Sequence, residues 1–214
     1  MDDIVVIGLY RHGMTTCNER NAFSGWTNSI LSEKGKKELY TIQPQLPDYE
    51  RIIASDLQRC VDTAAILFPQ HTAELRPEFR EMNFGFMEGK VHDELKELKE
   101  YNDWIKAPLT AAISEGESYP EFRKRVLSAW KKWLEEIAQT GIRRQALVAH
   151  GGVLRSLLTE IAPVRKEFYE WKSPNGRGYE LTGSLSALRR GERCISLREV
   201  PSTGSGNGQE ATMG

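Results

Sequence analysis

Two arginines and two histidines follow closely on apolar stretches of this 214-residue chain. Arg11 and His12 come directly after the first stretch, Arg59 comes shortly after the second, and His150 comes directly after the third. The guanidinium forks of arginine match the oxygens of a phosphoryl group, and a neutral imidazole nitrogen can attack phosphorus. If the fold brings these four side chains together, they form a phosphate clamp that contains its own nucleophile.

The three apolar stretches are predicted to be strands of one sheet. Residues 4–9, Arg51–Ala54 and 146–149 are nearly continuous apolar runs, as in parallel strands that helices cover on both faces. Helical patterns separate them, which predicts an α/β fold, a three-layer α/β/α sandwich with a mostly parallel sheet. Ligands bind beyond the carboxyl ends of the strands in such sheets, and the four side chains stand at those ends.

Apolar spacing predicts two helices in the first half of the chain. Residues 57–68 carry apolar side chains at helical spacing, and Ser55 or Asp56 can serve as the N-cap. Arg59 would then lie in the first turn, near the positive end of the helix dipole. A second helix is predicted over residues 91–105, where apolar residues again recur at helical spacing.

Two further helices and one strand are predicted in the second half. A helix begins at a capping box at Ser118 and ends near Gly141, and another runs over residues 153–161. Residues 194–200 alternate in polarity, which predicts a late strand at or near an edge of the sheet. The last stretch, 201–214, is rich in glycine and nearly devoid of apolar residues, and we expect it to be a disordered tail.

Composition excludes several classes of function. The chain has 29 Lys and Arg against 30 Asp and Glu, a net charge of -1, which argues against a nucleic acid or an anionic membrane as partner. No apolar run approaches the roughly 18 residues of a membrane span, and the acidic N-terminus does not resemble a secretory signal. We therefore expect a cytoplasmic protein. The three cysteines form no pattern typical of a disulfide scaffold or a zinc site: Cys17, Cys60 and Cys194.

Several ordered motifs resemble the histidine phosphatase superfamily, the phosphoglycerate mutase-like proteins of branch 1. The resemblance covers about residues 4–200. It is carried by "RHG" (Arg11 to Gly13), "SGW" (Ser24 to Trp26), "LSEKG" (Leu31 to Gly35), "ASDLQRCVDTA" (Ala54 to Ala64), "FREMNFGFMEGK" (Phe79 to Lys90), "GES" (Gly116 to Ser118) and "VAHGGVLRSLL" (Val148 to Leu158). Within that family the details are most similar to broad-specificity and α-ribazole phosphatases.

The resemblance implies a role for each matched residue. His12 would be the nucleophile that forms a phosphohistidine, and Glu81 would be the general acid and base. The side chains implied to hold the phosphoryl oxygens are Arg11, Arg59 and His150, and the remaining phosphate-pocket positions are Asn18, Ser24, Gly25 and Gly151. No metal and no cofactor is implied.

Two neighbours of His12 raise separate questions. Gly13 is expected to keep the backbone close to the phosphate, because it has no side chain in the way. Met14 stands where relatives commonly carry an acidic residue, and it is expected to alter the rim of the pocket. Ser24 likewise stands where relatives often carry a longer polar side chain.

The activity implied is metal-independent hydrolysis of a small phosphorylated metabolite. Candidate substrates are α-ribazole 5'-phosphate or a broad range of phosphate monoesters. The alternatives are a phosphoglycerate mutase, which the short chain and the sequence around Glu81 disfavour, and a phosphate-binding module without catalysis, which the presence of His12 and Glu81 disfavours. We expect one domain over residues 1–200, with residues 83–118 forming a cap over the pocket; whether the chain forms a homodimer stays open.

Overall fold

The computed structural model describes residues 3–202, and within them six strands form one sheet. The strands are β1 (Ile4–Arg11), β2 (Arg51–Ala54), β3 (Glu74–Leu75), β4 (Arg144–Ala149), β5 (Gly178–Ser184) and β6 (Ser196–Val200). Their spatial order is β3-β2-β4-β1-β5-β6. The first four in this order are parallel, whereas β5 is antiparallel to β1 and β6 is antiparallel to β5. The carboxyl ends of β1, β2 and β4 therefore lie side by side at the same end of the sheet, as predicted.

Helices cover both faces of this sheet. The α-helices of residues 3–202 are α1 (Thr16–Glu19), α2 (Glu33–Ile42), α3 (Gln58–Leu67), α4 (His92–Leu95), α5 (Lys99–Lys106), α6 (Tyr119–Thr140), α7 (Gly151–Ile161) and α8 (Leu185–Arg189). One apolar core joins one face of the sheet to α6, α7 and α8, and a second joins the other face to α2 and α3. The predicted α/β/α sandwich is confirmed.

Strand β1 shows why the apolar runs are continuous. Val5, Ile7 and Leu9 lie in the core under α6 and α7, whereas Tyr10 lies in the opposite core under α2 and α3. Because successive side chains of a strand point to opposite faces, a strand covered on both faces needs apolar residues at nearly every position. The same burial on both faces explains the apolar runs in β2 and β4.

The two helices predicted in the second half are confirmed: α6 has the predicted ends, and α7 begins at Gly151, slightly before the predicted start. Ser118 caps α6, its hydroxyl accepting a hydrogen bond from the Glu121 amide, and Gly141 ends it at φ 72°. This left-handed conformation favours glycine. Strand β6 is at the edge of the sheet, as residues 194–200 predicted. Of the predicted disordered tail, residues 203–214 lie outside the described residues.

Two predictions about helices in the first half were wrong in detail. Helix α3 has Leu57 at its N-cap without a side-chain cap, because Ser55 bonds His150 and Asp56 pairs with Arg80. The single helix predicted over residues 91–105 is two short helices, α4 and α5.

The break between α4 and α5 has a local cause. The Leu98 amide bonds the carbonyl of Leu95, only three residues back, and Asn102 Nδ2 donates to the carbonyl of Lys96. The turn allows Leu95 and Tyr101 to be buried together while Leu98 stays exposed. Apolar spacing alone could not reveal that a turn interrupts the stripe.

Strand β5, which pairs with β1 in the middle of the sheet, was not predicted. Its third residue, Glu180, is buried at 6 % exposure and interrupts the apolar pattern. The carboxylate accepts hydrogen bonds from the Tyr49 hydroxyl and the Arg198 guanidinium, so its burial is compensated.

Within residues 3–202, no helix combines the length and apolar character that a membrane crossing needs.

Candidate active site

The fold brings together the four residues that the sequence singled out at strand ends. Arg11 ends β1, His12 follows it, His150 is the N-cap of α7 after β4, and Arg59 is in the first turn of α3. The imidazole rings of His12 and His150 pack edge to face, with centroids 5.3 Å apart. His12, Arg59 and His150 are buried, at 4 %, 0 % and 0 % exposure. The predicted convergence of these residues is therefore present in the fold.

The hydrogen bonds of His12 define which of its ring nitrogens carries a lone pair. Nδ1 lies 2.7 Å from the Gly13 carbonyl, which can only accept, so Nδ1 carries the proton and donates. Nε2 is then unprotonated in the neutral ring. Burial, followed by the charges of Arg59 and Arg11, holds the pKa of His12 well below its usual value of 6.5. At neutral pH the side chain is therefore an uncharged imidazole with a free lone pair on Nε2.

Both arginines are held by backbone carbonyls and keep donors free. Arg59 donates to the carbonyls of Thr27 (2.8 Å) and Gly25 (2.5 Å), and Arg11 donates to the carbonyl of Ser173 (2.6 Å). The Nε atoms of both arginines are buried and have no hydrogen-bond partner within the described residues. Buried donors without partners are costly, so these two nitrogens indicate a site for an anion.

His150 is also neutral. Its Nε2 lies 2.9 Å from the Ser55 hydroxyl and 3.5 Å from the Cys60 sulfur. Burial, with the charge of Arg59 next in size, holds the pKa of His150 well below its usual value. Burial also raises the pKa of the Cys60 thiol to about 12, so this sulfur stays protonated and is not a nucleophile.

Glu81 lies at the N-terminus of α7, next to the clamp. Its Oε2 accepts a hydrogen bond from the Gly152 amide (2.8 Å), and its Oε1 accepts one from the Met82 amide (2.9 Å). A methyl group on Gly152 would lie 2.2 Å from Oε1, so only glycine leaves room for the carboxylate. Burial lowers the pKa of Arg11, whereas the negative charge of Glu81 raises it. The Glu81 carboxylate is therefore close enough to interact electrostatically with the Arg11 guanidinium.

Asn18 and Arg11 line one cavity of about 350 Å³, whose other lining residues are Asn21, Ala22, Phe23 and Asn175. The Asn18 Oδ1 accepts hydrogen bonds from the Thr15 amide (3.2 Å) and from Asn175 Nδ2 (3.1 Å). With its oxygen occupied, Asn18 can offer its amide nitrogen to an anion. The Asn175 Nδ2 also lies 3.2 Å from the His12 carbonyl. Nothing in the spacing of the sequence pointed to Asn175.

Ser24 and Gly25 lie behind Arg59. The Ser24 hydroxyl bonds the Ser29 hydroxyl (3.0 Å), and the carbonyls of Ser24 and Gly25 both accept from Arg59 Nη2. These two residues therefore orient the guanidinium through their backbone. Gly151 is the first residue of α7, and a methyl group there would lie 3.5 Å from Arg11 Nε.

Glu88 holds this same backbone segment, a role that was not predicted from the sequence. Its carboxylate accepts hydrogen bonds from the amides of Gly25 (3.1 Å), Trp26 (2.8 Å), Thr27 (3.1 Å) and Phe84 (3.0 Å). The Trp26 indole in turn donates to the Glu81 carbonyl (2.9 Å). Residues 24–27 thus connect Arg59 to the loop of Glu81. The only signal in the sequence was that Glu88 lies within the same motif as Glu81.

Gly13 and Met14 both lie close to α2. A methyl group on Gly13 would lie 2.7 Å from Leu39 Cδ1 and 3.2 Å from Leu31 Cδ2, so the glycine makes room for α2; its expected closeness to the phosphate stays a prediction. Met14 lines a second cavity of about 170 Å³, together with Glu38 and Arg177, and Asn175 lines both cavities. Met14 is not among the residues that line the cavity of Arg11 and Asn18. Its expected effect on the rim of the pocket stays a prediction.

Residues 3–202 contain no group of three His, Cys, Asp or Glu side chains that could hold a metal ion. The site is instead made of two guanidinium groups, two neutral imidazoles, one carboxylate and an amide. This set of groups can bind an anion, attack it through a nitrogen and move one proton.

A family model described as the histidine phosphatase superfamily (branch 1) matches residues 7–189. The adenosylcobalamin/alpha-ribazole phosphatase of Salmonella typhimurium is 30 % identical over 164 residues, which cover 72 % of this chain and 77 % of that protein. The metal-independent phosphoserine phosphatase of Arabidopsis thaliana is 32 % identical over 170 residues, which cover 74 % and 69 %. Other relatives of similar identity are named phosphoglycerate mutases.

Among solved structures, one described as a putative alpha-ribazole-5'-P phosphatase from Escherichia coli superposes with a TM-score of 0.73. The match covers 83 % of this chain and 90 % of that chain at 21 % sequence identity. At this identity the superposition shows a shared fold.

Proposed function

Because the chain belongs to branch 1 of the histidine phosphatase superfamily and is a phosphatase of that family, we propose that it hydrolyses a small phosphate monoester through a phosphohistidine on His12. The observation that carries this proposal is the bond from His12 Nδ1 to the Gly13 carbonyl. It leaves the lone pair on Nε2, beside two arginines whose buried Nε atoms have no protein partner among the described residues.

In the first half-reaction, His12 Nε2 attacks the phosphorus and the bond from phosphorus to the ester oxygen breaks. Glu81, protonated, gives its proton to the departing oxygen, so that an alcohol leaves and His12 carries the phosphoryl group. Arg11 and Arg59 hold the phosphoryl oxygens, with His150 and Asn18 completing the pocket. Preorganised donors of this kind stabilise the charge that spreads over the equatorial oxygens.

In the second half-reaction, a water molecule attacks the phosphohistidine. The Glu81 carboxylate takes one proton from that water, and the bond between phosphorus and nitrogen breaks. Inorganic phosphate leaves, His12 returns to its neutral state and Glu81 is protonated again. Each group thus ends the cycle as it began, and the two steps need no metal ion.

The leaving group would occupy the side of the cavity that Asn21, Ala22 and Phe23 line. Phe23 packs against Phe84 and Trp104, so residues 83–118 support this wall as a cap, and we propose that the cap and the sandwich form one domain. The aromatic wall of Phe23 and the amide side chains of Asn21 and Asn175 favour a leaving group with both apolar and hydrogen-bonding atoms. With the relative from Salmonella typhimurium, this supports α-ribazole 5'-phosphate as the first candidate and a range of monoesters as the second.

We also propose that the protein works in the cytoplasm. Its three cysteines are free thiols, and Cys60 and Cys194 are buried. Thiols persist in reduced form in a cytosol, whereas secreted proteins commonly pair them.

The test is a panel of monoesters assayed for phosphate release in the presence of EDTA. The panel contains α-ribazole 5'-phosphate, phosphoserine, 3-phosphoglycerate and p-nitrophenyl phosphate. We expect phosphate from at least one of them, at a rate that EDTA does not change. Release that EDTA abolishes, or no release from any ester, would contradict the proposal. Conversion of 3-phosphoglycerate to 2-phosphoglycerate faster than phosphate release would favour the mutase alternative.

A further inference from the structure

Arg125, on α6, holds the backbone of the loop that carries Glu81. Its Nη1 donates to the carbonyls of Glu78 (2.9 Å) and Arg80 (3.0 Å), and its Nη2 donates to the carbonyl of Glu81 (3.2 Å). Glu81 lies between two short 3₁₀ turns rather than in a strand or an α-helix. These carbonyls lie outside any strand or α-helix ladder, so side chains satisfy them: Arg125 bonds all three, and the Trp26 indole also donates to the Glu81 carbonyl (2.9 Å).

Glu117 completes the arrangement from the other side. Its carboxylate accepts from Arg125 Nε (2.8 Å) and Nη2 (2.6 Å), and it also accepts from the Asn83 amide (3.0 Å). The Glu117 amide donates back to the Asn83 carbonyl (2.9 Å). Arg125 and Glu117 thus fix the loop at Glu78, Arg80 and Glu81 and again just after it, at Asn83.

Arg125 differs in this respect from the two arginines of the clamp. Its guanidinium has five N–H groups, and the structure gives it five acceptors: three backbone carbonyls and the two oxygens of Glu117. Arg11 and Arg59 each keep a buried Nε without a partner within the described residues. Arg125 therefore has no donor left for a substrate, and its contacts act on the position of Glu81.

We propose that Arg125, together with Glu117, is a positioning residue that holds Glu81 where it can protonate the leaving group. The inference rests on the proposed function, in which Glu81 is the acid. It has a consequence for substrates. A leaving group that is stable as an anion, such as p-nitrophenolate, departs without a proton, whereas an alkoxide such as that of serine needs one. Displacing Glu81 should therefore slow phosphoserine hydrolysis more than p-nitrophenyl phosphate hydrolysis.

The test compares R125K with the wild type on these two substrates. Lysine keeps the charge but lacks the planar fork that reaches three carbonyls and a carboxylate. The quantity measured is kcat/KM, which reports the steps up to formation of the phosphoenzyme. We expect the ratio of kcat/KM for phosphoserine to that for p-nitrophenyl phosphate to fall at least about tenfold, in the same direction as in E81Q. In the double variant R125K/E81Q the ratio should equal that of E81Q alone.

The same helix provides a matched control. Arg123, two residues earlier on α6, pairs with Glu160 on α7 and does not contact the loop of Glu81. R123K should leave the ratio unchanged. If R125K does not fold, E117Q removes one carboxylate oxygen from the same network and should lower the ratio in the same way.

Two outcomes would overturn the inference. An equal loss of kcat/KM on both substrates, or no loss on either, in R125K or E117Q would show that Arg125 only supports the fold. If E81Q itself hydrolyses both substrates with the wild-type ratio, Glu81 is not the acid. The assignment of Glu81 then fails together with the role of Arg125, even if phosphatase activity and His12 labelling remain.

Discussion

The proposed nucleophile and the proposed acid are held in the protein by different means. His12 follows β1, which has paired strands on both sides, and the backbone bonds continue beyond the strand. The His12 amide donates to the Ala149 carbonyl (2.9 Å) and the His12 carbonyl accepts from the Gly176 amide (3.0 Å). The position of His12 is therefore fixed mainly by main-chain bonds, and Asn175 Nδ2 adds one side-chain bond to the same carbonyl (3.2 Å).

Glu81 depends instead on individual side chains. Its loop is held by Arg125, by the Trp26 indole and, through residues 24–27, by Glu88. A single substitution can therefore displace the proton donor without unfolding the sheet. The region of His12 should therefore tolerate the loss of one supporting side chain, whereas the region of Glu81 should not.

The largest effect is expected from removing the proton donor itself. In E81Q the amide cannot give a proton to the leaving oxygen, so kcat/KM for phosphoserine should fall roughly 10²–10⁴-fold. The fall for p-nitrophenyl phosphate should be much smaller. The measurement is steady-state kinetics on both esters. Equal losses would mean that Glu81 acts by some means other than protonation.

A smaller effect is expected from removing a support of each region. In E88Q the new amide group offers N–H donors to backbone amides that need an acceptor, so residues 24–27 should shift. A displacement of about 1 Å can cost up to about 10²-fold in kcat/KM. The matched variant in the region of His12 is T63V, because the Thr63 hydroxyl accepts from the Gly13 amide and donates to the Arg59 carbonyl.

T63V loses two buried hydrogen bonds and E88Q weakens several partly buried or exposed ones, so each should lower the free energy of unfolding by about 1–3 kcal/mol. Urea denaturation measures that loss, and kinetics on p-nitrophenyl phosphate measures the activity of the folded fraction. T63V should lose less activity than E88Q at a similar loss of stability. A larger loss of activity in T63V would reverse the comparison.

The smallest effect is a dependence of stability on pH that the region of His12 should confer. The pKa values of His12 and His150 are held well below 6.5 in the folded protein, whereas the unfolded chain has its histidines near 6.5. As the pH falls below 6.5, the unfolded state binds protons that the folded state excludes. Each histidine should therefore reduce the free energy of unfolding by up to about 1.4 kcal/mol per pH unit.

H12N removes one of these two contributions. Between pH 6 and pH 5 its free energy of unfolding should fall less steeply than that of the wild type, by up to about 1.4 kcal/mol per pH unit. H150N should behave in the same way. Urea denaturation at several pH values measures both slopes. Parallel slopes in wild type and variants would show that the buried imidazoles take up protons in the folded protein.

The same contrast explains what could be predicted from the sequence. β1, β2 and β4 were predicted because a strand covered on both faces must be apolar along its length, and the residues at their ends then follow from topology. β5 was missed because Glu180 interrupts its pattern, and its burial depends on Tyr49 and Arg198, which are distant in sequence. Arg59 was predicted to be a clamp residue. The sequence did not indicate that backbone carbonyls would hold its guanidinium.

The supports of Glu81 could not be predicted from spacing. In the sequence, Arg125 looks like one more charged residue on an amphipathic helix. Its role appears only when its guanidinium is seen to reach the carbonyls of Glu78, Arg80 and Glu81. The turn between α4 and α5 was unpredictable for the same reason, because a side chain, Asn102, bonds the backbone carbonyl of Lys96. Contacts between a side chain and a distant backbone segment leave no periodic signal in a sequence.

The central claim is that His12 carries the phosphoryl group, and labelling tests it most directly. E81Q should form the phosphoenzyme from p-nitrophenyl phosphate and hydrolyse it slowly, so the intermediate should accumulate with one equivalent of p-nitrophenol released. After a base quench, peptide mass spectrometry should locate the phosphoryl group on His12, and acid should remove it. The double variant H12A/E81Q should carry none. A phosphoryl group on another residue, or labelling that persists without His12, would contradict the account.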